Sequence, residues 1–155
     1  MINIVAALIV SISVAFSSYG KSLENIKFTD TNGRTVYLSQ LKGKPVVLIF
    51  WQLYCHACKK ELPAVSKIAK QYQGKAYFYA VVIGTSDILQ IEERRREWKF
   101  DLPVLIADYK TKSAFGIFGT PITVILDKNL NMAKKVIGSG KEEVITKTLQ
   151  KLVQE

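Results

Sequence analysis

The sequence predicts an α/β domain, a central mixed β-sheet flanked by helices on both faces, with a β-hairpin at its N-terminal side. Three observations carry this. The run Val46-Val47-Leu48-Ile49-Phe50-Trp51 is continuously apolar, as a strand buried on both faces must be. Two further apolar runs, Ala76 to Ile83 and Val104 to Ala107, are separated from it and from each other by segments of helical spacing, giving the order βαβαβ. The last forty residues then read as two strands around a turn and a closing helix.

The chain has 155 residues, 48% hydrophobic and 23% charged, which suits one globular domain with a full core. We expect that domain to span residues 21–155. Residues 1–20 are of another character: Met1 to Gly20 holds no Lys, Arg, Asp or Glu, and Ile2 to Phe16 is almost wholly apolar. They read as a signal peptide or an N-terminal membrane anchor. Ala15 and Ser17 around Phe16 suit peptidase cleavage, but a basic n-region is absent, and four serines dilute a stretch barely as long as a bilayer needs.

From Ile26 to Thr29 and from Thr35 to Leu38, two short strand-like runs flank Asp30-Thr31-Asn32-Gly33, whose Asn-Gly pair favours a tight turn. Gly43-Lys44-Pro45 leads into the apolar strand. From His56 to about Gln73, the residues Leu62, Val65, Ile68, Ala69 and Tyr72 recur at helical spacing, with Pro63 expected to bend the helix and Gly74 to end it. Asp87 is positioned to cap a helix reaching about Lys99. A helical piece near Lys112 precedes Gly119-Thr120-Pro121, then strands Ile122 to Leu126 and Met132 to Ile137 around Asp127-Lys128-Asn129, and a helix Glu142 to Val153.

The only two cysteines lie in Cys55-His56-Ala57-Cys58, where the buried strand gives way to a helix. Thiols so spaced on a first helical turn can close a disulfide, and the unpaired amides of the helix N-terminus favour the thiolate of the first. Cys55, the more exposed, is the expected nucleophile, and Cys58 the resolving thiol. A structural zinc site would need four ligands, but the chain has no third cysteine and its single histidine is His56. No metal and no cofactor beyond the Cys55/Cys58 couple is expected. His56, if protonated, would favour a thiolate; the plainer alternative is an exposed residue that only modulates the potential.

The formal charge of +9 is dispersed, and the densest run, Arg94-Arg95-Arg96, lies among Glu92, Glu93 and Glu97, as on a solvated helix face. No basic stripe with aromatic platforms is present, so nucleic acid is not an expected partner. The basic balance suits work beside an anionic membrane or acidic partners.

Lys42 to Trp51, then Cys55 to Pro63, then Gly119-Thr120-Pro121 together resemble the TlpA/ResA-type branch of thioredoxin-fold proteins, the cytochrome c maturation type. The resemblance covers nearly everything from Lys21 onward. It implies a thioredoxin-like fold and a thiol:disulfide oxidoreductase. It also implies a cis peptide bond before Pro121, lying against the CxxC, with the Thr120 backbone pairing with a bound substrate and the aromatic Trp51 packing near the disulfide. At Glu61 the family carries a buried acid that handles protons and holds the thiol pKa values up. Spacing alone leaves Glu61 equally open to a surface pairing with Lys59 or Lys60. Thioredoxin itself has a buried aspartate on the preceding strand; Ile49 stands there in this chain.

The reading that follows is an exported or membrane-tethered oxidoreductase that reduces protein disulfides. Its catalytic residues are Cys55, Cys58 and Glu61, its substrate-binding residues Thr120, Pro121 and Trp51, and His56 tunes the couple. By resemblance, its partners are a disulfide-bearing protein, for which apocytochrome c is the family precedent, and a membrane thiol donor of electrons. Residues 1–20 would supply membrane association. The rivals are a general disulfide oxidant or isomerase, and a copper-binding assembly protein. Copper proteins of this fold add a distant histidine, which this chain lacks. A peroxidase would need a lone peroxidatic cysteine in place of the close pair.

Overall fold

The structure is a computed structural model and describes residues 23–155. The leader assigned to residues 1–20 lies outside the described residues. Eleven strands and helices follow in the order β1 (Lys27–Asp30), β2 (Thr35–Tyr37), β3 (Val46–Trp51), α1 (His56–Gln71), β4 (Tyr77–Val82), α2 (Ile88–Trp98), β5 (Val104–Ile106), α3 (Tyr109–Ala114), β6 (Ile122–Leu126), β7 (Met132–Ile137) and α4 (Glu142–Leu152). A 3-10 turn at Leu38–Leu41 links β2 to the sheet centre.

The seven strands form one mixed sheet in the order β2-β1-β5-β4-β3-β6-β7. Strands β3, β4 and β5 are parallel, while β6 runs antiparallel to β3 and β7 to β6. β1 and β2 pair antiparallel around Gly33, whose φ of 79° meets the turn's demand for a left-handed residue. Asp30 closes that turn by accepting from the Asn32 and Arg34 amides. β1 also adds to the edge strand β5 through Thr29 and Asp30, extending the sheet by two strands.

Every residue of β3 is buried, and its alternation sorts the core into two halves. Val47, Ile49 and Trp51 face a cluster with Leu62, Val65 and Ile68 of α1, Ile91 and Trp98 of α2, and Ile145 and Leu149 of α4. Val46, Leu48 and Phe50 face the other way, against Phe28, Leu38, Leu41, Phe115 and Ile117. Helices α1, α2 and α4 thus cover one face, and α3 with the 3-10 turn covers the other. Each fully buried Leu, Ile or Phe contributes about 1.5–3 kcal/mol relative to exposure, so the central strand is the main anchor of the site that follows it.

The helix ends match local chemistry. Asp87 caps α2 by accepting from the Leu89 and Gln90 amides, and Lys99 closes it in the left-handed conformation. α1 continues through Pro63, which withholds one hydrogen bond from the Lys59 carbonyl.

Candidate active site

Cys55 is the N-cap of α1, in extended conformation, and is linked to Cys58 by a disulfide with an S–S distance of 2.07 Å. The Cys58 amide donates to the Cys55 sulfur at 3.2 Å, and the Cys58 and Lys59 amides both approach the Cys55 carbonyl. The first sulfur therefore sits at the positive end of the helix, where a thiolate is stabilised. Cys55 is half-buried, whereas Cys58 is fully buried among the apolar side chains of the α1 face. Only the first sulfur is open to attack from outside.

One helical turn beyond Cys58, Glu61 is 0% exposed. Its Oε2 accepts the Gly140 amide at 3.1 Å, and its Oε1 has no hydrogen-bond partner among the described residues. Neither neighbouring lysine neutralises it: Lys59 lies 3.8 Å from Glu97 on α2 instead. Burial pushes the Glu61 carboxyl above the ordinary carboxylate range. The Gly140 amide and the Lys141 charge pull it back down, while the Glu142 charge adds to the rise. Of the two placements that spacing leaves open for Glu61, the buried one is observed. Ile49, on β3 behind the same helix, is apolar and fully buried in the cluster that holds Cys58.

The Thr120–Pro121 peptide bond is cis. Because Ile122 lies opposite Phe50 in the antiparallel pair, Pro121 stands at the same end of the sheet as the loop that follows β3. Pro121 is buried and its carbonyl accepts from Gly138. Thr120 is half-buried, and its backbone amide and carbonyl bond to no other described residue.

One expected site residue lies differently from the reading above. Trp51 is 0% exposed and packs edge-on against Trp98 and Phe100, at 5.6 and 5.5 Å between ring centroids. A docked substrate cannot touch it, because the last residue of a central strand is covered by α1 and α2; its place is in the core beside Cys58, not at the binding surface. His56 is exposed on the first turn, and its imidazole makes no hydrogen bond or ion pair with the described residues.

Sequence reasoning missed three contributors. Arg94 does not belong to a merely solvated face: its Nε donates to the Leu53 carbonyl at 3.1 Å, and its guanidinium lies 5.8 Å from the centre of the Tyr54 ring. It braces the two residues before Cys55. Gln52 begins the same loop, and its Oε1 accepts from the Thr120 hydroxyl at 3.2 Å, tying the cysteine loop to the cis-proline loop. Gly140, with φ at 75°, turns its amide toward Glu61. No local pattern could have revealed them, since each acts across a long separation in sequence.

Comparison with known proteins agrees with this geometry. The AhpC/TSA family model matches residues 19–135. The thiol-disulfide oxidoreductase ResA of Bacillus subtilis (strain 168) is 31% identical over 130 residues, covering 83% of this chain and 72% of the relative. The pneumococcal exposed lipoprotein thioredoxin Etrx1 of Streptococcus pneumoniae strain TIGR4 superposes with a TM-score of 0.68 at 28% identity, covering 82% of this chain and 98% of that one. MTB DsbF, whose structure was solved in its mixed oxidised and reduced forms, shares the fold with a TM-score of 0.74 at 22% identity, over 84% of this chain and 96% of its own. A thioredoxin-like sheet that presents a CxxC disulfide at the start of a helix, with these relatives, means that the chain belongs to the AhpC/TSA family, among its ResA-like thiol-disulfide oxidoreductases.

Proposed function

We propose that this oxidoreductase works outside the cytoplasm as a reductant of protein disulfides. The Cys55 thiolate attacks one sulfur of the substrate disulfide. That S–S bond breaks, the attacked sulfur is held in a mixed disulfide with Cys55, and the other substrate sulfur leaves as a thiolate that takes up a proton. Cys58 then loses its proton and attacks the Cys55 sulfur, releasing the second substrate thiol and closing the Cys55–Cys58 disulfide. Two electrons and two protons pass to the substrate.

Glu61 carries the direction of this reading. A buried, unpaired carboxyl one turn from Cys58 can take the proton of the resolving thiol, and its raised pKa brings it nearer the working pH. When ionised, it disfavours a second negative charge on the neighbouring thiol. A dithiol whose thiolate is not strongly stabilised gives up its electrons readily. The unengaged backbone of Thr120 suits pairing with an extended substrate segment, and His56 modulates the couple from the exposed side. The apolar leader supports export or tethering, as does the surface location in the name of the pneumococcal relative. Apocytochrome c as substrate, and a membrane thiol donor, rest on the family resemblance.

A redox titration of Cys55/Cys58 against glutathione or dithiothreitol tests the direction. A potential nearer that of thioredoxin, about −270 mV, is expected. One near the DsbA value of about −120 mV would replace the reductant by an oxidant.

A further inference from the structure

A groove of about 540 Å³ opens at the carboxyl ends of β4 and β5, on the side of the cysteine loop away from Thr120. It is lined by Gln52, Gly84, Thr85, Ser86, Tyr109 and Lys112, among others. The groove lies beyond the carboxyl ends of two parallel strands, one and two strands out from β3, whose end carries the redox loop. Gln52 makes this groove continuous with the redox site, because the side chain that lines it also holds the Thr120 hydroxyl.

The charges around the groove are unevenly committed. Asp108 also lines it, but its Oδ1 accepts the Thr111 amide at 2.8 Å at the start of α3. Asp87, on the loop beside Ser86, is spent on the Leu89 and Gln90 amides and on the Gln90 side chain. Lys112 in the groove, and Lys27 and Lys110 close enough to act on Asp108, form no ion pair with any described residue. Tyr109 stands 80% exposed at the rim.

We propose that this groove is a subsite for the substrate polypeptide, taking an acidic side chain that flanks the disulfide under attack, with Lys112 as its counter-charge and Gln52, through the Thr120 hydroxyl, as the joint to the cis-proline loop. The inference rests on the reductase reading. A segment lying along Thr120 and across Cys55 continues over the end of β4 into the groove. Its carboxylate there meets the unpaired Lys112 ammonium, hydroxyl groups and the Gln52 amide, while the Lys27 and Lys110 charges offset the Asp108 carboxylate that shares the groove.

The test uses the full reduced chain and two disulfide-bearing peptides that differ only in Glu or Gln beside the cysteine. The Glu peptide should show a KM lower by about two- to fivefold, the scale of a partly exposed ion pair, and the difference should shrink as salt is raised. Lys112→Gln should abolish the difference, and Lys112→Arg should keep it. Lys134→Gln, which removes an equal charge from β7 near the opposite edge of the sheet, should also keep it. Equal KM values in the unaltered protein, or a preference that survives Lys112→Gln, would overturn the subsite. Hydroxyethyl disulfide, too small to reach the groove, reports the underlying reaction: if neither it nor either peptide is reduced, the reductase reading falls and the subsite with it.

Discussion

Replacing Glu61 by Gln changes one property of the site and conserves another. The amide oxygen can still accept the Gly140 amide that Oε2 accepts at 3.1 Å, and the side chain keeps its volume, but the group no longer ionises. In the native protein, burial raises the Glu61 pKa above its unfolded value, so the folded state binds this proton more tightly than the unfolded chain. The associated stability is fully present below the unfolded carboxyl pKa of about 4.3 and is lost as pH rises through the folded value. Each pH unit between those two points weighs about 1.4 kcal/mol. Urea unfolding of the oxidised protein from pH 4 to pH 8 should therefore show Glu61→Gln gaining on the unaltered protein through that window and then holding a constant lead. Glu61→Ala is the contrast, because it leaves the Gly140 amide unsatisfied at a cost of about 1–3 kcal/mol with no such pH window. In the reduced protein, removing the carboxylate should also move the pH profile of thiol alkylation to lower pH. Parallel stability curves, together with an unchanged alkylation profile, would refute the account of Glu61 as a strained acid acting on the thiols.

The remaining predictions concern the groups around that carboxyl. With Trp98→Phe, Trp51 is the only indole left, and its emission should rise on reduction because it shares a cluster with Cys58; an unchanged spectrum would place the quenching elsewhere. Gly140→Ala meets no neighbouring atom within 4 Å but must hold a positive φ, so it should cost about 1–2 kcal/mol in urea unfolding, and a neutral result would show that the loop relaxes.

Much of the site was legible because its signals are local. Cys55 and Cys58 share one helical turn, and the change from an apolar run to helical spacing places that turn at the end of a central strand. Helix boundaries at Asp87 and Glu142 followed from capping and periodicity within a few residues. Trp51 shows the limit: the family resemblance implied that it would lie near the disulfide, but not that Trp98 and Phe100 would seal it from the surface. The arginine run shows another, since its alternation with glutamates describes a solvated helix while one member reaches the loop before Cys55.

By itself, then, the sequence determined a redox couple at a strand-to-helix junction, the order of strands and helices around it, and a first stretch of twenty residues without charge. Only the tertiary structure decided that β1 joins β5, that Gly140 turns toward Glu61, and that Gln52 ties Thr120 to the cysteine loop. The physical reason is range. Periodicity, capping and turn chemistry act over a few residues, whereas the pairing of distant loops depends on the strand order and on which side chains fill the two halves of the core. Glu61 stands on that boundary: its helical face could be read from spacing, but its burial and raised pKa come from α4 and the loop before it closing over the α1 face.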